Sequence, residues 1–165
     1  MTIPNDAELH ALADHLGTRL RASHDHLVTA ESCTGGWIAK TVTDIPGSSE
    51  WFDCGLAAYS YEAKQALLGV RSQTLETHGA VSRETVIEMV SGALARSGAS
   101  VSVAVTGIAG PGGAIEGKPI GTVWIAWKRR GGYPTAEVFH FDGDREAVRR
   151  QTVAAALHGL WNLAN

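Results

Sequence analysis

This chain of 165 residues contains little cysteine, no large excess of one charge and no long apolar run. Two cysteines, Cys33 and Cys54, do not provide a disulfide framework, so a reducing, cytoplasmic compartment is expected. No apolar stretch reaches the roughly 18 residues that span a membrane. Residues 1–25 lack the basic start and apolar run of a signal peptide. Fourteen Lys and Arg against 17 Asp and Glu give a net charge of −3, which argues against a strongly basic nucleic-acid binder.

What the chain does have is a globular composition with many glycines. Hydrophobic residues make up 44% and charged residues 19% of it, and 19 glycines stand against five prolines. This length and balance are typical of one ordinary domain with its own core, so we expect residues 1–165 to form a single domain. The many glycines indicate tight loops close to backbone or ligand.

Helical and strand patterns alternate along the sequence. Leucines near helical spacing predict an amphipathic helix over Asn5–Ala22, and a β-branched run predicts a fully buried strand over Val101–Thr106. Shorter patterns predict strands over Leu27–Ala30, Cys54–Ala58, Gly121–Trp127 and Ala136–Phe141, and helices over Trp37–Val42, Glu62–Leu68, Ser82–Arg96 and Asp144–Leu163. Their alternation predicts an α/β fold, a three-layer α/β/α sandwich with a mixed sheet whose last two strands form a hairpin.

The first candidate site is the turn after the first strand, Glu31-Ser-Cys-Thr-Gly-Gly36. A strand that turns through small residues into a helix presents backbone N–H groups that can stabilise an oxyanion or a phosphate. Ser32, Cys33 and Thr34 place three nucleophiles or hydrogen-bond donors at this turn. The same pattern is also typical of a helix N-cap, because Ser or Thr before a helix stabilises it, and one hydroxyl can cap the helix while its neighbour reacts.

A second candidate combines Tyr59 with Lys64 near the start of a predicted helix. A lysine close to a hydroxyl group acts as a general base when burial lowers its pKa, because desolvation disfavours the charged form. The alternative is an exposed lysine paired with Glu62 or Glu31, without a chemical role. A short-chain dehydrogenase is excluded, since the Tyr-to-Lys spacing is one residue too long and no Gly-x-Gly-x-x-Gly follows the first strand.

The third candidate is the glycine-rich loop that starts at Thr106-Gly107, after the buried strand. Open α/β sheets bind ligands at the carboxyl ends of their strands, although a long turn without a ligand would have the same composition. Gly112–Lys118 also fits the spacing Gly-x-x-x-x-Gly-Lys of a P-loop. Pro119 stands where the motif requires Ser or Thr, and a strand follows instead of a helix, so an NTPase is excluded.

Histidine does not indicate a metal centre. His24 and His26 form one His-x-His pair beside Asp25, which is more typical of a surface turn than of metal ligation. A cysteine hydrolase is an alternative, because a helix N-terminus lowers the pKa of a thiol such as Cys33. His78 would then be its base, but no spacing connects the two residues. We therefore expect neither a metal nor a cofactor.

These motifs occur together in one protein family. They are Thr29–Gly36, Gly47–Ser49 with Trp51-Phe52, Tyr59-Ser60 with Lys64, Leu68–Val70, His78–Ser82, Thr106–Pro111, Lys118–Val123, and Gly143–Arg145 with Val148-Arg149. In order and spacing the chain resembles the C-terminal domain of the competence/damage-inducible protein CinA, over about residues 7–163.

The resemblance implies a three-layer α/β/α fold and hydrolysis of the carboxamide of nicotinamide mononucleotide to nicotinate mononucleotide and ammonia. It implies a serine nucleophile at Ser32, with Lys64 and Tyr59 as its catalytic partners. Substrate contacts are expected from the turn, two loops and one arginine: Cys33, Thr34 and Gly35, then Ser48 and Ser49, then Thr106, Gly107 and Gly110, and Arg145. The two loops would hold the ribose and the phosphate, with Arg145 as a charge partner.

A second function stays open beside the enzymatic one. A non-catalytic nucleotide-binding or competence-associated regulatory module would keep the pocket without turnover, but would be expected to lose Ser32, Tyr59 or Lys64. The expected partners are a small nucleotide and further copies of the chain in a homo-oligomer, with no nucleic acid and no membrane. Larger family members carry an additional N-terminal domain with pyrophosphatase-type activity, which we do not expect here.

Overall fold

The computed structural model describes residues 3–163 and contains a five-stranded sheet between two layers of helices. The strands are β1 Leu27–Glu31, β2 Phe52–Ala57, β3 Val101–Gly107, β4 Thr122–Arg129 and β5 Thr135–His140. The helices are α1 Asp6–Ser23, α2 Trp37–Thr43, α3 Tyr61–Leu68, α4 Ser72–His78, α5 Arg83–Ala95 and α6 Arg145–Leu163. None of these helices is both long enough and apolar enough to cross a membrane.

The sheet has the strand order β2-β1-β3-β4-β5. β2, β1 and β3 run parallel, while β4 and β5 are antiparallel to their neighbours, which confirms the predicted mixed sheet and its hairpin. From β1 the chain passes to β2 on one side and later to β3 on the other. The carboxyl ends of β1 and β3 therefore form a topological switch point, the place where open α/β sheets bind ligands.

Alternate residues of the central strands face opposite helical layers. Val101, Val103 and Val105 pack in a core with α1, α2 and α6, whereas Val28 and Ala104 pack in a second core with α3, α4 and α5. All five residues of β1 are buried. The first six residues of β3 are buried as well, which confirms the fully buried strand predicted over Val101–Thr106.

One helix, α4, was not predicted from the sequence. Its seven residues bury only Thr74 and Leu75, and no side chain caps its first turn. A residue of another helix stabilises α4 instead. Glu88 of α5 accepts hydrogen bonds from the backbone and side chain of Arg71 and from the Thr74 hydroxyl. Tertiary contacts rather than local periodicity therefore determine α4.

β2 also begins at Phe52, two residues before the predicted start at Cys54.

The turn between β4 and β5 lies at the end of the sheet where the parallel strands begin. Val101, the first residue of β3, pairs with Arg129, the last residue of β4. The connecting residues 130–134 include Tyr133, which is 96% exposed. The switch point therefore lies at the carboxyl ends of the parallel strands, and the hairpin turn lies at their amino ends.

Candidate active site

Ser32 follows the last residue of β1, on the turn that leads into α2. Glu31 pairs with Ala57 of β2 and with Val105 of β3, so the turn leaves the sheet at the carboxyl ends of the parallel strands. The Ser32 N–H donates to the Val105 carbonyl at 3.1 Å. The Ser32 side chain is nevertheless not fully enclosed, since the residue is 8% exposed. The hydrogen bond from Ser32 to Val105 therefore fixes the backbone of the turn to β3, the central strand of the sheet.

The carboxylate of Glu31 holds this turn together. It is 1% exposed and accepts hydrogen bonds from the N–H groups of Gly36, Ile38 and Ala39 at 3.1, 2.9 and 2.8 Å. The hydroxyl of Thr34 donates to it at 2.6 Å. Glu31 thus satisfies amides that a helix start leaves unpaired, a task that Ser or Thr was predicted to perform. The alternative of a Ser or Thr cap is wrong, because Gly36 is the N-cap of α2 and no side chain of the N-cap residue binds the helix.

Lys64 reaches the turn from α3, on the other side of β1. Its Nζ lies 3.0 Å from Oγ of Ser32, 3.0 Å from the carbonyl oxygen of Ala58 and 3.1 Å from that of Tyr59. Lys64 is 1% exposed, and no carboxylate among residues 3–163 pairs with it. Burial lowers the pKa of Lys64 from its ordinary value. The alternative of an exposed lysine paired with a glutamate is therefore wrong.

Tyr59 and Arg145 meet beside this pair. Nη2 of Arg145 donates to the phenolic oxygen of Tyr59 at 3.0 Å, and Nη1 donates to the carbonyl of Gly110 at 2.8 Å. The Tyr59 side chain is exposed, while its carbonyl accepts from Lys64. The structure therefore joins the side chain of Arg145 to Tyr59 and Gly110, and the backbone of Tyr59 to Lys64.

Cys33 is part of the hydrophobic core rather than an exposed nucleophile. It is 6% exposed, and burial raises its pKa to about 12. The predicted lowering of this pKa is wrong, because the loss of solvation outweighs the backbone hydrogen bond and the charges of Lys64 and Arg149, which favour the thiolate. Nδ1 of His78 instead lies 3.8 Å from a carboxylate oxygen of Glu84. The geometry gives no support to a cysteine hydrolase.

Thr106 and Gly107 lie at the end of β3, next to the turn. The Thr106 hydroxyl donates to the carbonyl of Ala80 at 2.8 Å, and Thr106 is buried. A Cβ at Gly107 would lie 2.8 Å from the carbonyl oxygen of Thr122, so only glycine fits there. These two residues share the switch point with Ser32, because Thr106 directly follows the residue whose carbonyl binds the Ser32 N–H.

Ser48 and Ser49 lie at the amino ends of the parallel strands, whereas Ser32 lies at their carboxyl ends. They belong to a short 3-10 helix, Ser48–Glu50, which Trp51 separates from β2. Phe52, the first residue of β2, pairs with Leu27, the first residue of β1. One strand length therefore separates this 3-10 helix from Ser32, which follows the last residue of β1. Within one chain, the structure does not bring Ser48 and Ser49 to the other predicted site residues.

The predicted histidine pair has a role in local structure. His24 ends α1 in the left-handed conformation, with φ of 56°, and its N–H donates to the Arg21 and Leu20 carbonyls. The carbonyl of His26 accepts from the N–H groups of Ser100 and Val101. No three His, Cys, Asp or Glu side chains within residues 3–163 lie together as metal ligands would.

A cavity of about 710 Å³ opens beside the turn. Gly35 lines it together with basic side chains of α2 and α6: Lys40, Arg145, Arg149 and Arg150. Nε of Arg149 donates to the Cys33 carbonyl at 3.1 Å, and Nη2 donates to the Thr34 carbonyl at 2.8 Å. Sequence reasoning assigned no role to Arg149. The signal was its position four residues after Arg145, which places both side chains on one face of a helix.

Known proteins match this chain along nearly its whole length. The model of the CinA C-terminal domain matches residues 9–164. The nicotinamide-nucleotide amidohydrolase PncC of Escherichia coli (strain K12) is 51% identical over 156 residues, which are 94% of this chain and 94% of that protein. PncC of Pseudomonas putida is 53% identical over 152 residues, 92% and 94% of the two chains. The crystal structure of the competence/damage inducible protein CihA from Agrobacterium tumefaciens has a TM-score of 0.93 and 43% identity, covering 100% of this chain and 99% of that one.

Proposed function

This chain belongs to the CinA C-terminal domain family, and from that premise we propose that it hydrolyses nicotinamide mononucleotide to nicotinate mononucleotide and ammonia. Relatives at 51% and 53% identity, aligned over more than nine tenths of the chain, are named nicotinamide-nucleotide amidohydrolases. The observation that carries the proposal is the 3.0 Å contact between Nζ of Lys64 and Oγ of Ser32 at the switch point of the sheet. The partner of the chain is then a small nucleotide, and the reaction is amide hydrolysis.

Lys64 has the surroundings that a general base requires. A neutral amine carries two N–H bonds and one lone pair. The carbonyls of Ala58 and Tyr59 can only accept hydrogen bonds, so they take the two N–H bonds of neutral Lys64. The lone pair is then left for the hydroxyl hydrogen of Ser32, the third neighbour of Nζ. A buried amine with a lowered pKa is the form that can remove this proton.

Ser32 then attacks the carboxamide carbon. A bond forms between Oγ and this carbon, the proton of Oγ passes to Nζ of Lys64, and the carbonyl oxygen becomes an oxyanion. Among residues 3–163 the Cys33 and Thr34 N–H groups donate to no carbonyl oxygen and to no side chain of another residue, whereas the Gly36 N–H is occupied by Glu31. These two amides directly follow the nucleophile, and we assign the oxyanion to them.

Collapse of the tetrahedral intermediate breaks the C–N bond. The departing nitrogen needs one proton to leave as ammonia. The Lys64 ammonium supplies it directly, or the Tyr59 hydroxyl supplies it and takes a proton from Lys64 in return, so Lys64 is neutral again in either case. The Tyr59 oxygen accepts a hydrogen bond from Arg145, so its own hydrogen stays available for donation. Water then attacks the acyl-enzyme with Lys64 as base, which releases the carboxylic acid and restores the Ser32 hydroxyl.

Ammonia release from nicotinamide mononucleotide tests this proposal. Purified protein should release one ammonia per nicotinate mononucleotide, Ser32→Ala should not, and EDTA should change nothing because the scheme needs no Lewis acid. A wild-type protein that binds the nucleotide without releasing ammonia would instead be a regulatory module. Activity that EDTA removes and Zn²⁺, Mn²⁺ or Mg²⁺ restores would contradict the serine–lysine scheme.

A further inference from the structure

Two arginines that line the cavity beside the turn have no acidic partner among residues 3–163. Arg145 donates to the Tyr59 phenol and the Gly110 carbonyl, and Arg149 donates to two backbone carbonyls of the turn. Arg149 is also fixed in place by an aromatic ring, since its Cζ lies 5.1 Å from the centroid of Trp37. Neutral oxygens do not cancel a charge, so two full positive charges remain at the cavity wall.

The other two cations of the cavity are already neutralised. Arg150 forms ion pairs with both Asp6 and Glu146, and Lys40 forms one with Asp44 at 2.6 Å. Their charges are balanced by carboxylates of the same chain. An anion that enters the cavity is therefore attracted mainly by Arg145 and Arg149, which lie one helical turn apart on α6.

Both guanidinium groups keep hydrogen-bond donors for a ligand. A guanidinium has five N–H bonds, and each of these two arginines uses two of them within the chain. A phosphate monoester carries a charge of about −1.5 to −2 at pH 7 and three strong acceptor oxygens. Two unpaired arginines with remaining donors match such a group in charge and in hydrogen bonding.

We propose that Arg145 and Arg149 bind the 5′-phosphate of the substrate in this cavity, an inference that rests on the proposed function. Arg149 holds the carbonyls of the two residues after Ser32, so the cavity adjoins the nucleophile. The carboxamide and the phosphate are at opposite ends of nicotinamide mononucleotide, so we place the carboxamide at Ser32 and the phosphate at the two arginines. Ser48 and Ser49, which the sequence suggested for this role, lie at the other end of the sheet.

Binding to the Ser32→Ala protein tests the assignment without turnover. Calorimetry should compare nicotinamide mononucleotide with nicotinamide riboside, which lacks the phosphate. Adding Arg149→Gln should raise Kd for the mononucleotide by roughly 10- to 100-fold, the scale of a lost hydrogen bond between charged groups, and leave Kd for the riboside unchanged. Inorganic phosphate should compete with the mononucleotide in the parent protein and compete much less in the variant.

Arg150→Lys is the matched control, because it changes a guanidinium of the same cavity wall and keeps the charge that balances Asp6 and Glu146. The ratio of the two Kd values should therefore stay within about threefold of the parent. An equal loss for both ligands in Arg149→Gln, or unchanged competition by phosphate, would overturn the assignment and leave Arg149 as a positioning residue of the turn. Failure of the wild type to release ammonia would instead count against the proposed function.

Discussion

Lys64 and Ser32 are 32 positions apart in the chain, yet Nζ and Oγ lie 3.0 Å from each other in a buried contact. No carboxylate within residues 3–163 forms a hydrogen bond with either side chain. The amine therefore lacks the partner that would hold it in the charged form. The following predictions depend on this pair and on the turn that presents it.

Replacing Lys64 with arginine should abolish turnover while nucleotide binding persists. Arginine keeps its proton in proteins, so it cannot accept the proton of Ser32, and kcat should fall by at least about 100-fold. Lys128→Arg, at a partly buried lysine of β4 that donates to Ser91, should keep kcat. The measurements are kcat, KM and the shift in Tm with nicotinamide mononucleotide. Near-normal kcat in Lys64→Arg would remove Lys64 from the role of base.

The lowered pKa of Lys64 should make stability depend on pH. The unfolded chain keeps the proton up to the ordinary pKa of 10.5, whereas the folded chain loses it at a lower pH. Between these two values the unfolded state binds more protons, so the free energy of unfolding rises with pH there and falls as pH is lowered. Lys64→Met cannot titrate at this position. Urea denaturation should therefore show wild type losing stability relative to Lys64→Met as pH falls through this window, and a constant difference would contradict it.

The same titration should appear in catalysis. Only the neutral form of Lys64 accepts the Ser32 proton, so kcat/KM should rise with pH up to the lowered pKa of Lys64 and then level off. The profile of kcat/KM against pH measures this directly. A profile that rises only near the ordinary lysine pKa would show that the folded protein does not lower it.

Cys33 should matter for packing and not for chemistry. A thiol whose pKa is raised to about 12 is protonated at neutral pH and is a poor nucleophile. Cys33→Ala should keep turnover and cost about 1 kcal/mol of stability, as expected for a small core truncation. Ser32→Ala should lose at least about 100-fold in kcat at similar stability. The reverse order of the two kcat values would establish a cysteine nucleophile.

Glu31→Gln should destabilise the protein and reduce turnover together. An amide has one acceptor oxygen and would turn N–H groups toward amides of α2 that now donate to the carboxylate. The loss should be at least about 3 kcal/mol in the free energy of unfolding. Glu62→Gln, at an exposed position of α3, should change it by less than about 0.5 kcal/mol. Equal denaturation midpoints for the two variants would contradict this role of Glu31.

The sequence predicted the parts of the site that local patterns encode. The turn around Ser32 was found because small residues follow a strand, and Tyr59 and Lys64 because they flank a helix start. The role of Glu31 could not be found in this way, because its carboxylate reaches the amide of Ala39, eight residues ahead. That reach depends on the backbone path of the turn, and residue types alone do not determine it.

The sequence also did not show that Lys64 is buried or that Ser48 is far from Ser32 in space. Lysine is a residue type of protein surfaces, and only the packing of α3 against α5 and the contact of Nζ with Ser32 show that Lys64 is enclosed. Ser48 stands near Ser32 in the chain, but β1 and β2 are parallel, so a turn that precedes β2 lies at the end of the sheet opposite to the carboxyl end of β1. Strand direction therefore decided which predicted residues share a site.

The hairpin turn at the far end of the sheet gives this chain a natural point of attachment. Residues 130–134 connect β4 and β5 beside Val101, whereas Ser32 lies beyond the other end of the neighbouring parallel strand. β3 has seven residues, and a strand of that length spans roughly 23 Å. A fluorophore, affinity peptide or surface linker inserted between Gly131 and Gly132 would sit a full strand away from the reacting serine. The protein can thus be immobilised through one end of its sheet while the other end stays open to substrate.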